Sequence, residues 1–94
     1  MNIKGFVWLD DIVEKIQWKH GVFQVEVEEV FRNVPKFKFG KRGSYNGENL
    51  YYCFGRTDAG RYLFIVFIYK KSKEALILSA RDMTRSERRT YEKM

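Results

Sequence analysis

The 94-residue chain contains one cysteine, one proline and one histidine. A single thiol, Cys53, rules out an intrachain disulfide and favours a reducing compartment. It lies in the apolar run Leu50 to Phe54 with no base beside it in sequence, so a buried, inert thiol is expected. With one histidine, one cysteine and no clustered carboxylates in the basic half, no ligand set has metal-site spacing. No metal and no cofactor is expected. Long hydrophobic runs are absent as well. The longest, Tyr62 to Tyr69, falls far short of the roughly 20 residues that cross a bilayer. Met1 to Phe6 lacks the apolar region of a signal peptide, which points to a cytoplasmic protein that makes no membrane contact. Neither repeats nor low-complexity linkers interrupt the chain, so residues 1–94 read as one domain.

What is plentiful is aromatic side chain and positive charge. Phe, Trp and Tyr make up 17 % of the sequence, and large rings give a small core much of its buried area. The formal net charge is +6, unevenly spread. Residues 1–35 hold Lys4, Lys15, Lys19 and Arg32 against six acids, a balance of −2. Residues 36–94 hold the other fourteen Lys and Arg against six acids, a balance of +8. A fold with its excess positive charge in one half can present a basic surface to nucleic acid.

Hydrophobic periodicity orders the elements. Phe6-Val7-Trp8 is a short strand or an anchoring segment. Asp10 or Asp11 can cap a helix running to about Lys19, with Ile12, Val13 and Ile16 facing inward and Gly21 as its stop. Residues 24–31 stay open between strand and helix. Their first half alternates with β-branched residues, whereas Val27, Val30 and Phe31 fit one helical face. Beyond Pro35, Lys36 to Phe39 alternates as a strand. Gly40 to Gly47 has the composition of a basic loop. Leu50 to Arg56 is a strand, Asp58-Ala59-Gly60 a tight turn, Arg61 to Tyr69 a long strand, Lys70 to Glu74 a turn, and Ala75 to Ala80 the last strand. The resulting class is α+β: a short N-terminal strand, two helical segments, a four-strand antiparallel meander and a C-terminal basic helix. In the long strand both faces are apolar, so both need cover. Two helices can cover one. The other is left to the polar C-terminal helix or to a second protein chain.

That last helix has a clear start, because Thr84 and Glu87 form a capping box. Arg85, Arg88, Arg89 and Glu92 then share one face. Little apolar surface remains to dock it, only Met83, Thr90, Tyr91 and Met94, and guanidinium is the group best shaped to hold phosphate oxygens in pairs.

Several motifs, in order, resemble the BrnT family of toxins from bacterial type II toxin–antitoxin modules. They are Phe6-Val7-Trp8, Lys19-His20-Gly21-Val22, Glu29-Val30-Phe31, Gly47-Glu48, Gly55-Arg56-Thr57 and Gly60-Arg61. Ser79-Ala80-Arg81 leading into Thr84-Arg85 and Glu87-Arg88-Arg89 with Tyr91-Glu92 completes the series. The resemblance spans nearly the whole length and implies a RelE-like fold with residues 24–31 helical. It also implies ribonuclease activity that blocks translation, and neutralisation by a cognate BrnA-like antitoxin carrying a ribbon-helix-helix domain, through which alone operator DNA is reached. Two departures stand out. Phe23-Gln24 replaces the usual Ser-Phe pair after His-Gly-Val, and residues 36–45 are basic where the family has acidic and mixed residues.

A small metal-free ribonuclease needs a base for the 2′-hydroxyl, cations for the charge growing on phosphate, and an acid for the leaving 5′-oxygen. On this reading Arg56, Arg61 and Arg81, each near a strand end, are the candidate cations. His20 is the one side chain that titrates near neutrality unaided. It is a candidate base or acid, or only a complement to the helix dipole. Tyr91 is a second candidate acid, or a docking residue. Lys36, Lys38, Lys41, Arg42, Arg85, Arg88 and Arg89 would grip RNA, with Tyr45, Tyr51 or Tyr52 stacking on bases. Arg56, Arg61, Arg81 and Arg85 are expected to converge on one phosphodiester. A non-catalytic nucleic-acid binder, or a co-repressor acting with its antitoxin, is the alternative.

Overall fold

A computed structural model describes all 94 residues, Met1–Met94. Eight elements follow one another: β1 (Gly5–Val7), α1 (Asp10–His20), α2 (Gln24–Arg32), β2 (Lys36–Tyr45), β3 (Glu48–Arg56), β4 (Tyr62–Tyr69), β5 (Glu74–Asp82) and α3 (Arg85–Glu92). The strands make a single five-stranded mixed sheet in the order β1-β5-β4-β3-β2. Strands β2 to β5 pair antiparallel, while β1 lies parallel to β5. The α+β class expected from the sequence holds, with β1 as a fifth strand.

Helices α1 and α2 sit on one face of the sheet. Leu63, Ile65 and Phe67 of β4 point into them and are fully buried, together with Ile16, Val22, Val27, Val30, Cys53 and Ile77. Phe31 joins this core from α2, with its ring edge-on to Phe6 at 5.1 Å and to Phe67 at 5.3 Å. Tertiary packing thus settles residues 24–31 as helix. Only a helix brings Val27, Val30 and Phe31 down together, and it outweighs the β-branched content of the segment. Cys53 is buried in the same layer, and burial pushes its thiol well above the ordinary range.

Three local expectations need correction. Asp10 and Asp11 do not cap α1: the capping position is Leu9, which offers no side-chain bond, and the two acids lie in the first turn, where their charge suits the helix dipole. The segment Gly40–Gly47 is not simply a loop. Strand β2 continues to Tyr45 through two register shifts, and Gly40 sits where any Cβ would fall 2.5 Å from the Leu50 side chain. Glycine there permits the bulged strands to stay close. Finally, β5 runs on to Asp82, which places Arg81 inside the strand and opposite Phe64.

Helix α2 comes unusually near β3 at Gly55. A Cβ on that residue would lie 2.7 Å from Cγ1 of the fully buried Val30. Gly55→Ala should therefore cost about 1–3 kcal/mol through overpacking, read as a lowered denaturation midpoint with the m-value unchanged.

Candidate functional site

The face of the sheet away from α1 and α2 is where the strand alternation sends Tyr62, Phe64 and Val66, all half-buried. Register fixes their neighbours: Arg56 of β3 is opposite Tyr62, Phe54 is opposite Phe64, and Arg81 of β5 flanks Phe64 from the other side. Arg56 and Arg81 thus approach from the two strands bordering β4, on the same face. Two strand spacings and a two-residue offset separate their Cα atoms by on the order of 10 Å. Arginine side chains can span that gap.

Helix α3 closes one end of this face. Its capping box forms as expected, with the Thr84 hydroxyl accepting from the Glu87 N–H at 3.1 Å and the Glu87 carboxylate accepting from the Thr84 N–H at 2.9 Å. The same carboxylate takes both terminal nitrogens of Arg81 at 2.8 Å. Arg81 also lies over the Phe64 ring, Cζ 4.6 Å from its centroid. This guanidinium is held by a carboxylate on one edge and a ring on one face, which fixes its direction. The pairing raises the pKa of Arg81 and lowers that of Glu87.

At the end of the strand Tyr62 is enclosed by cations. Arg56 Nη1 reaches its hydroxyl at 3.5 Å, a weak hydrogen bond. Arg88 of α3 lies over its ring at 3.8 Å, a strong cation–π geometry. Tyr91 meets the ring edge-on at 5.9 Å. The bond from Arg56, and then Arg88, lower the pKa of the phenol. Beside this cluster opens a cleft of about 730 Å³, lined by Asn33, Lys36, Arg56, Asp58 and Tyr91 among others. Asn33 braces its rim, donating to the Arg56 carbonyl at 3.1 Å and to Asp58 at 2.8 Å, while Asp58 donates its N–H to Glu29 of α2 at 3.1 Å.

Of the expected site residues, Arg56, Arg81, Arg88 and Tyr91 come together here, and Lys36 joins them at the cleft. Lys38 shares the open face through its pairing with Tyr52. Lys41 and Arg42 are exposed further along β2, and Arg85 and Arg89 are exposed on α3. The expected convergence of Arg56, Arg61, Arg81 and Arg85 is only half realised. Arg61 points away, because it immediately precedes Tyr62 and alternation sends it to the helix side. Its guanidinium donates to the carbonyls of His20 (3.0 Å) and Gly21 (2.8 Å), pairs with Asp82 at 2.7 Å, and touches Glu26 at 3.3 Å. It binds the C-terminal end of α1 to the sheet. His20 lies at that same end, near enough to Asp82 to help lower its pKa, and not among the open-face cluster. The residue that sequence reasoning missed is Tyr62. It reads as one more apolar position in a strand, and only the register of Arg56 and the fold-back of Arg88 mark it out.

Compared with known families, the chain matches the description "ribonuclease toxin, BrnT, of type II toxin-antitoxin system" over residues 8–87. The chain belongs to the BrnT family. Membership makes it the toxin of a type II toxin–antitoxin module, with ribonuclease activity, an RNA target and a protein antitoxin as partner. The matched BrnT region begins at Trp8, whose indole donates to Glu28 at 2.9 Å, and ends at Glu87, the carboxylate that holds Arg81. Arg88 and Tyr91 lie just beyond it. No curated protein matches the chain. No helix is long and apolar enough to cross a membrane.

Arg61→Met keeps the aliphatic stem and removes every donor of the staple, so it should cost about 1–3 kcal/mol, discounted toward the lower end because the group is partly exposed. For a domain of this size a loss of 1 kcal/mol is a fall of roughly 4–8 °C in Tm. Asp82 and Glu87 titrate below their unfolded values, because Arg61 and Arg81 donate to them. Their contribution is complete above the ordinary carboxylate pKa of about 4 and is lost as the pH falls through the lower folded values. Thermal melts should show that loss in wild type below about pH 4, and Asp82→Asn should flatten the dependence.

Proposed function

We propose that the open-face cluster is the catalytic centre of a metal-independent endoribonuclease that cleaves by 2′-hydroxyl transesterification and thereby inhibits translation. The single observation that carries this reading is the placement of Arg56 and Arg81 on one face, from strands on either side of β4. Two guanidiniums on one face, Arg81 fixed by Glu87 and Phe64 and Arg56 exposed at the cleft, suit a phosphodiester whose negative charge grows in the transition state. Lys36 and Arg88 add positive charge at its edges. Lys38, Lys41, Arg42, Arg85 and Arg89 extend the basic surface along β2 and α3, where they would hold the flanking nucleotides through their phosphates.

On this reading arginine supplies the positive charge at the phosphate, so no metal ion is needed there. Proton transfer then falls to side chains, with Tyr91 at the cleft one candidate. His20 and Arg61 are left outside the proposed centre, with structural roles at the end of α1. A RelE-like architecture is consistent with the antiparallel strands β2 to β5 and the helices on one face. The partner fitted to this reading is a BrnA-like antitoxin with a ribbon-helix-helix domain, which would bring the toxin to operator DNA. Its binding would cover the half-buried Tyr52, Phe64 and Val66. The cytoplasm is the compartment that such a module needs.

The test is purified chain with unstructured RNA in EDTA. Cleavage leaving a 2′,3′-cyclic phosphate end supports the proposal, and Arg81→Ala should then lower kcat by about 10²–10³-fold while His20→Ala leaves it within a few-fold. Salt-sensitive binding with no cleavage would instead indicate a nucleic-acid-binding module or co-repressor.

A further inference from the structure

We propose that the phenol of Tyr62 is the catalytic acid that protonates the 5′-oxygen as it leaves the scissile phosphate. The inference rests on the ribonuclease reading and goes further by assigning a proton to an atom. Tyr62 sits between the two arginines expected to hold the phosphate, level with Arg56 across β3 and one diagonal step from Arg81 across β5. A phosphate that draws Arg81 from Glu87 and bridges to Arg56 would lie over the end of β4, the strand that carries Tyr62. In that pose the leaving oxygen, one bond from phosphorus, would face the phenol.

The surroundings favour an acid over a base. Arg56 directs an N–H at the phenol oxygen, and Arg88 lies against the ring. Both stabilise the tyrosinate that remains after proton donation. The side chains that touch Tyr62 are cationic or neutral: Arg56 from β3, and Arg88 and Tyr91 from α3. Glu87 of α3 has both oxygens on Arg81. A tyrosine starts from a pKa of about 10, so it enters neutral solution with a proton to give. Lowering that value brings the donor closer to the working pH, where general acids are most effective. Tyr91, by contrast, packs its ring against Tyr62 and holds α3 in place.

The step balances as follows. The 2′-oxygen attacks phosphorus, its proton passing to water or a buffer base, and the P–O5′ bond breaks. The Tyr62 O–H proton moves to O5′, freeing a 5′-hydroxyl, and the tyrosinate is held between Arg56 and Arg88. The protonated base or water then returns a proton to it.

The experiment compares two oligoribonucleotides with wild type and Tyr62→Phe. One carries an ordinary linkage at the position that wild type cuts. The other carries a bridging 5′-sulfur there, which leaves as a thiolate and needs no acid. Tyr62→Phe keeps the ring under Arg88, so its melting temperature, measured in parallel, should stay close to that of wild type. On ordinary RNA the variant should lose about 10²–10⁴-fold in kcat with KM within a few-fold. On the 5′-thio substrate that loss should shrink to less than tenfold. Unchanged cleavage of ordinary RNA by the variant would overturn the assignment. So would an equal loss on both substrates, which would mark Tyr62 as structural or as the base. If wild type cleaves neither substrate, the ribonuclease reading itself fails, a result distinct from both.

Discussion

Strand β4 is paired with β3 along its whole length and with β5 from Leu63 onward, and its two-residue alternation decides what its neighbours face. Leu63, Ile65 and Phe67 are drawn into the layer under α1 and α2. Tyr62, Phe64 and Val66 are left on the other side. Cross-strand register passes that division outward, so Arg56 and Arg81 must share a face with Tyr62 and Phe64. A slip of one residue would turn both guanidiniums to the core side, against neighbours such as Leu63 and Ile65, and expose the core. Burial of the aliphatic face is therefore what keeps the cationic cluster in place.

The motifs that carry the BrnT resemblance divide by physical task. Glu29-Val30-Phe31 and Gly55-Arg56-Thr57 meet one another across the sheet: Val30 packs on Gly55, Glu29 accepts from Asp58, and Asn33 reaches the Arg56 carbonyl. Their joint effect is to set the position of Arg56. Gly60-Arg61 and His20-Gly21 meet in the same way, with Arg61 taking the carbonyls that α1 leaves free at its end. Arg81 and Glu87 join the last strand to the last helix. Most of these residues build the frame, and few of them face the cleft.

Helix α3 shows how a very polar element can be held without an apolar face. It has no fully buried residue. Its ties are the bidentate Arg81–Glu87 pair, the Arg88 stack on Tyr62 and the Tyr91 ring edge. All three attach it to the open-face cluster, so this helix and the proposed centre are coupled. Phosphate bound at Arg81 would compete with Glu87, the residue that also caps the helix.

Element types were legible from the sequence wherever period and punctuation agreed: the Thr84–Glu87 box, the Gly21 stop, the Asp58-Ala59-Gly60 turn and the two-sided run Tyr62 to Tyr69. So were the polarity split and the family motifs, which are local or compositional. Residues 24–31 were not legible from period, which fits both; the family resemblance made them helix, and packing on Gly55 and Phe67 is the physical reason. Nor was the continuation of β2 beyond Gly40, where strand pairing across a bulge outweighs a loop-like composition. The site was half legible. Arginine at strand ends marks Arg56, Arg61 and Arg81 alike, and sequence carries no sign of which face each will take. That choice is made by register between strands distant along the chain, which turns Arg61 onto the α1 carbonyls and brings Arg56, Arg81 and Arg88 around Tyr62.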